Sequence, residues 1–297
     1  LVGSERCIRV RPTLAADDPS VRTVIYDNTP VTYINSAWST PAPQYWYNHH
    51  LHSFVTIHPA SVLSAGDATP RFSNSQLSFS YTLPSDLSKT ADILAATHRR
   101  LYADEREYDP DGLLRGHADI VYLRFGHLMS LINLAPALAD NVMRPDEYIE
   151  FRRLELSGFR TRATFAVAPA TLLTSDQTDD RTISVTGHEG SGSLAIDFNP
   201  PVKVVNDNRN VTLINSGDPV IMLPQAFPAD SDVEFILTYT VNDDPSIKQV
   251  TLPLNNQRWE SGKSYTYRFT IDRTGLQFGN TAITDWDVYD VGNIDVH

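Results

Sequence analysis

The chain is poor in cysteine, in methionine, in positive charge and in long apolar runs, and each shortage removes a class of protein. Cys7 is the only cysteine in 297 residues, so no intrachain disulfide can brace the fold. A lone thiol leaves the compartment open, because bacterial envelope proteins also do without disulfides. No stretch is long and apolar enough to form a helix across a membrane. Lys and Arg number 24 against 36 Asp and Glu, a net charge of −12, and the basic residues do not cluster. A protein that neutralises phosphates needs such clusters, so nucleic acid is excluded as an expected partner. The acidic surplus reads as a solubility feature. The sequence opens Leu1-Val2-Gly3-Ser4, without an initiator Met or a basic-then-apolar leader, and reads as a mature or trimmed chain. Scattered through it are 19 Pro and 14 Gly, which leave little room for long helices.

What is present points to sheet. Hydrophobic residues make up 41% and charged residues 20%, a globular balance with enough apolar material for two ordinary domains or one large one. The 13 Tyr and 12 Phe outweigh 3 Met, and aromatic and β-branched side chains suit a pleated, half-buried surface. In Val233–Val241 every odd position is large and apolar. Tyr265, Tyr267, Phe269 and Ile271 alternate with Thr266, Arg268 and Thr270, and Val121, Leu123 and Phe125 with Tyr122 and Arg124. Each run has the period of a strand with one face on a core. Gly187-His188-Glu189-Gly190-Ser191-Gly192 predicts a hairpin between Ile183–Val185 and Leu194–Ile196. Asn206-Asp207-Asn208 and Asn215-Ser216-Gly217-Asp218-Pro219 predict further turns. Short helical turns are expected at 87–96 and at 145–151, neither long enough to stand alone. The charged segment His98–Gly116, ending in Pro110-Asp111-Gly112, predicts a boundary near residue 115 between domains 1–115 and 116–297. The expected fold class is all-β, built of sandwiches.

Several phrases, in this order, resemble the fimbrillin-like (Mfa-like) family of Bacteroides-type bacteria, the type V pilus subunits. They are Tyr45-Trp46 with Phe54–Pro59, Phe79-Ser80-Tyr81 with Asp92-Ile93-Leu94-Ala95-Ala96, and the strand phrase Val121-x-Leu123-x-Phe125-x-His127-x-x-Ser130. Phe151–Gly158, Leu223-Pro224-Gln225, Trp259–Tyr267 and Ile283-Thr284-Asp285-Trp286 follow. Together they span roughly residues 40 to 290. The chain departs from the family at Leu128 and Leu131, where Ala and Lys are usual. Only 11 residues follow Trp286, so a long C-terminal donor extension is not obvious, and an anchor, tip or accessory role is as open as a stalk role.

The resemblance implies two transthyretin-like Greek-key sandwiches in tandem, exported as a lipoprotein to the outer membrane and displayed in a surface fimbrium. It implies other fimbrial subunits as partners, host or bacterial surface ligands besides, a membrane link only through a lipid anchor on the precursor, and no cofactor. In polymerising relatives an Arg-directed protease removes an N-terminal strand, and a strand of the next subunit fills the vacated groove. Arg9, Arg11 and Arg22 stand where such a cut would fall.

Other residue sets carry groups capable of chemistry. His49, His50 and His52, with His58 nearby, form the densest imidazole cluster, and an extended segment would place His50 and His52 on one face. No carboxylate or cysteine stands at ligand spacing, so surface histidines are expected and no metal. His127 lies in register with Leu123 and Phe125 and is expected to point inward, satisfied by a backbone or hydroxyl partner. Asp109-Pro110-Asp111-Gly112 lacks the later ligands of a calcium loop. Gly190-Ser191-Gly192-Ser193 is neither a nucleophile elbow nor a dinucleotide fingerprint. Glu105, Glu107, Asp285 and Asp287 carry no mark of a glycosidase pair. No residue set carries a catalytic role, so the chain is expected not to be an enzyme. Trp38 and Trp46, in a Pro-rich stretch, suit stacking on sugar rings, and a surface glycan-binding lipoprotein is the alternative function.

Overall fold

The computed structural model describes residues 6–14, 26–34, 37–40, 50–64, 70–73, 75–101, 120–138, 147–169, 181–205, 220–242, 244–272, 275–278, 281–286 and 289–295. Nearly all of this is strand, and among the described residues there is no α-helix. The alternation in the sequence is the reason. In the strand Glu234–Val241, Phe235, Leu237 and Tyr239 are buried. In Ile120–His127, Leu123 and Phe125 are buried while Arg124 is exposed. In Arg162–Pro169 the pattern alternates along the whole strand, with Ala163, Phe165 and Val167 inward.

The strands among the described residues form five sheets. A seven-stranded sheet runs in the order Tyr289–Asp295, Ile120–His127, Leu94–Leu101, His50–His58, Arg6–Leu14, Tyr26–Ile34, Ala37–Ser39. Against it lies a four-stranded sheet of Arg181–Glu189, Arg162–Pro169, Gln76–Thr82 and Arg71–Ser73, whose second strand packs across on His50–His58 and Leu94–Leu101. A second four-stranded sheet orders Gly192–Val205, Tyr148–Phe159, Glu234–Val241 and Asp244–Pro253. Its strand Gly192–Val205 packs on Ser130–Leu138 of a five-stranded sheet, which also holds Val220–Met222, Lys263–Asp272, Gly275–Phe278 and Ala282–Asp285. Gln225–Phe227 and Gln257–Trp259 form a small ribbon between them in sequence. Face-to-face sheets with inward alternating side chains are the sandwich solution to burying one face of each sheet.

One apolar core runs through both pairs of sheets. It joins Val55, Phe79 and Phe165 to Leu154, Phe235, Trp259 and Tyr267 without a break. Phe79 stacks on Phe165 with ring centroids 5.5 Å apart, and Phe235 meets Tyr267 edge-on at the same separation. Each such aromatic contributes about 1.5–3 kcal/mol through the area it removes from water. The other face of the seven-stranded sheet is covered too, for Val31, Phe54, Leu94 and Ala96 are buried outside that core.

The expected boundary near residue 115 lies outside the described residues. Strands from the two sides of it share sheets: Gln76–Thr82 pairs with Arg162–Pro169, and Leu94–Leu101 with Ile120–His127.

Two local expectations are corrected. The Gly187–Gly192 segment does not close a hairpin. Arg181–Glu189 pairs with Arg162–Pro169, and Gly192–Val205 pairs with Tyr148–Phe159, so the chain passes from one sheet into the next beside another chain segment doing the same. At the crossing, Thr161 N–H donates to the Glu189 carbonyl at 3.1 Å. Gly190 has φ +70°, and a Cβ there would stand 2.2 Å from Thr161 Oγ1. Turn residues therefore mark a bend between sheets, which has the same local chemistry as a reversal. The helical expectations are also revised. Leu87–Lys89 is a single 3₁₀ turn, capped by Asp86 accepting from Ser88 N–H, and the chain enters a strand at Leu94. The second segment is strand from Tyr148 onward, because Ile149, Phe151, Leu154 and Leu156 reach the core from an extended backbone.

Candidate assembly strand and sheet junction

The sequence offered Arg9, Arg11 and Arg22 as processing positions. Arg9 and Arg11 lie in the first strand, Arg6–Leu14, and Arg22 lies outside the described residues. This strand is interior to the seven-stranded sheet. On one side it pairs antiparallel with His50–His58, continuously from Cys7 opposite Ile57 to Leu14 opposite His50, with Arg9 opposite Val55 and Arg11 opposite Ser53. On the other it pairs with Tyr26–Ile34, with a register shift between Ile8 and Val10. Both backbone edges are thus engaged. Taking the strand away would leave two facing rows of unpaired N–H and C=O groups, each costly if not satisfied.

A second set of singled-out residues converges where the sheets meet. His127, at the end of Ile120–His127, is 2% exposed. Its Nδ1 lies 2.8 Å from Asp92 Oδ1, and its ring stacks on Trp286 at 3.8 Å with planes 4° apart. The inward orientation follows the sequence register, and Nδ1 has the Asp92 carboxylate as a partner. Trp286 N–H donates to the Gly262 carbonyl at 2.9 Å, and Gly262 N–H to the Met129 carbonyl at 2.9 Å. Ser130, fully buried, donates through Oγ to the Glu260 carbonyl at 2.9 Å. Gly262 needs its φ of +70°, and its Cα faces the His127 carbonyl so closely that a Cβ would stand 3.2 Å from it. Leu128 N–H donates to the Ile93 carbonyl at 2.7 Å.

Leu223-Pro224-Gln225 sits at the same junction. Gln225, buried, accepts from Arg160 N–H at 2.8 Å and donates to the Leu223 carbonyl at 3.2 Å, and His188 Nε2 lies 2.7 Å from the Pro224 carbonyl. Below it Trp259 donates from Nε1 to the Tyr267 hydroxyl at 2.7 Å while Phe227 meets the indole edge-on. Burial pushes the Tyr267 hydroxyl far above the usual tyrosine range. The phrases holding Asp92, His127–Ser130, Leu223–Gln225, Trp259–Tyr267 and Trp286 form, in space, a clamp joining the sheets.

The remaining sites are dispersed. Trp38 is in the edge strand Ala37–Ser39, opposite Tyr33, and Trp46 lies outside the described residues. His50 and His52 lie two positions apart in the strand His50–His58, and His49 lies outside the described residues. Among the described residues no group of three or more His, Cys, Asp or Glu gathers to hold a metal ion. Asp285 pairs with Lys263, whose ammonium is raised in pKa chiefly by that hydrogen bond. Asp109, Asp111, Glu105, Glu107 and Asp287 lie outside the described residues.

No curated protein matches the chain. Among solved structures it is similar to a fimbrial protein from Bacteroides vulgatus, at 14% identity and a TM-score of 0.61, with 95% of this chain and 93% of that one covered. It also matches the tip fimbrial protein of Porphyromonas gingivalis with a C-terminal truncation, at 10% identity and a TM-score of 0.40, over 96% and 95%. The first likeness supports the fold. The model of the fimbrillin-like family matches residues 10–286, nearly the whole length over which the clamp phrases and the strand pattern run, and the chain belongs to that family.

Proposed function

We propose that this protein is a structural and adhesive subunit of a cell-surface fimbrium, held at the outer membrane by a lipid anchor on its precursor, and that subunits join by exchange of a β-strand. Two sandwiches of transthyretin type form its body, and strands from both sides of residue 115 contribute to the first. The observation that carries the reading is the position of Arg6–Leu14, an interior strand formed by the beginning of the described chain. A strand bound on both edges leaves, on departure, a slot whose backbone groups only another strand can satisfy in full.

A protease binds its substrate as an extended strand, so it needs backbone that is not already paired. Arg9 and Arg11 are inside the ladder, and Arg22, outside the described residues, stands between Arg6–Leu14 and Tyr26–Ile34 in sequence. A cut after Arg22 would free the first strand whole, and a cut after Arg9 or Arg11 would leave part of it in place. Treatment with an Arg-specific protease, followed by intact-mass and light-scattering measurements, tests this. The expected result is one early cut after Arg22 and growth of heat-resistant oligomers, with neither in Arg22→Gln. A chain cut cleanly after Arg22 that stays a folded monomer contradicts strand exchange.

A further inference from the structure

The strand Arg181–Glu189 is the last in its sheet. Arg162–Pro169 pairs with one edge, and among the described residues no strand pairs with the other. Its Thr182, Ser184 and Thr186 are exposed, while Ile183 and Val185 are half-buried against the core. Beside it opens a cleft of about 660 Å³, lined by Ile183 and Val185 of the strand and by residues of the turn Arg258–Lys263. Both ends are fixed. At one, the Arg181 guanidinium donates to the Ala95 carbonyl at 3.0 Å and the Arg124 carbonyl at 3.2 Å. At the other, His188 is held on the Pro224 carbonyl.

The charge of this place opposes that of the molecule. The lining brings Arg181, Arg258 and Lys263 together, against Glu260 in the lining and Asp285 on Lys263, in a chain whose net charge is −12. Arg258 is 73% exposed despite its contact with Glu260, so its charge remains available to a partner. Trp259 lines the cleft but is 2% exposed and meets Phe227 edge-on. It therefore offers no open ring face for a sugar.

We propose that this cleft is a docking site for an extended acidic segment of a partner protein, bound as an added strand along Arg181–Glu189. The unpaired edge supplies backbone hydrogen bonds, Ile183 and Val185 take alternate apolar side chains, and Arg258 and Lys263 receive the carboxylates. The site is independent of the slot of the first strand, which belongs to the opposing sheet, and does not rest on strand exchange there.

The test uses the full chain and a short synthetic peptide alternating valine with glutamate, followed by calorimetry at low and high salt. The peptide should bind at low salt and weaken at high salt. Its counterpart with lysine for glutamate should not bind. Arg258→Glu, an exposed change that leaves the core untouched, should weaken binding about tenfold or more. Two further peptides, N-methylated on either alternate set of residues, separate strand pairing from plain charge attraction: one set should lose binding and the other keep it, because successive N–H groups of a strand point to opposite edges. Absence of binding at millimolar peptide, equal binding of the glutamate and lysine peptides, or equal binding of the two methylated peptides would overturn the proposal. Binding unchanged in Arg258→Glu would do the same.

Discussion

Arg6–Leu14 and Glu234–Val241 are both interior strands, each paired on both edges, yet they are held in different ways. Glu234–Val241 turns straight into Asp244–Pro253 through Asn242, whose φ of +51° makes the turn, so one neighbour is supplied by the adjoining chain. Its Phe235, Leu237 and Tyr239 enter the shared core. Arg6–Leu14 finds its better neighbour, His50–His58, more than thirty residues on, and reaches Tyr26–Ile34 through a connection of eleven residues, 15–25. A local turn closes its pair at small entropic cost, whereas a distant pairing depends on chain connections that can be cut. An interior place in a sheet does not by itself make a strand permanent. What distinguishes the two is whether a neighbouring strand is supplied by the adjoining chain or only from far along it.

The largest expected effect bears on the apolar hold. Phe235→Ala should cost about 3–5 kcal/mol, read as a lowered denaturant midpoint. Because the core is continuous across all the sheets, unfolding should remain a single transition by fluorescence and circular dichroism. Two separated transitions would show that the two pairs of sheets fold independently and would make the contrast one between domains.

Next comes the clamp. Trp286→Ala removes the ring stacked on His127 and should cost about 1–3 kcal/mol. Asp92→Asn should cost less, about 1–2 kcal/mol, because that carboxylate is 35% exposed and partly screened. If Asp92→Asn were the costlier of the two, ionic pairing rather than stacking would hold the junction.

A smaller effect follows from Tyr267. Its folded pKa is raised above the ordinary value by burial, so the folded state keeps a proton that the unfolded chain gives up near pH 10. Stability from this residue is complete below that pH and falls as pH rises towards the folded value. Tyr267→Phe should lose about 1 kcal/mol at neutral pH with the Trp259 hydrogen bond, and should flatten the alkaline decline. An unchanged alkaline slope would place the titration on other buried tyrosines, Tyr81, Tyr239 and Tyr265, which are raised by the same cause. The smallest effect belongs to Arg258→Ala, whose exposed pairing with Glu260 should be worth less than about 0.5 kcal/mol in thermal melts.

Local alternation was readable in the sequence because a strand's period of two is a property of adjacent residues. Val233–Val241 and Leu123–Phe125 show it directly, and the inward orientation of His127 followed from the same register. Strand order was not readable, since it depends on pairings over long separations. The parallel ladder of Ser130–Leu138 with Lys263–Asp272 left no mark in either segment, nor did the return of Tyr289–Asp295 to Ile120–His127. Gly187–Gly192 carried the chemistry of a turn, but that chemistry does not say whether the chain reverses or bends into another sheet. The carboxylate partner of His127 stands 35 residues away at Asp92, a contact that only the meeting of two strands creates. The clamp phrases were visible as phrases, and their shared purpose appeared only when Asp92, Ser130, Gly262 and Trp286 came together.

The most direct measurement of the central claim is hydrogen exchange on the strands Tyr26–Ile34 and His50–His58, before cleavage after Arg22, immediately after the first strand is released, and again in the resulting oligomers. Amides that pair with Arg6–Leu14 should lose protection on release and regain it as oligomers form, because a strand from the next subunit replaces the first. Oligomers that form while those amides stay exchangeable would show that subunits join elsewhere, and strand exchange into this slot would be wrong.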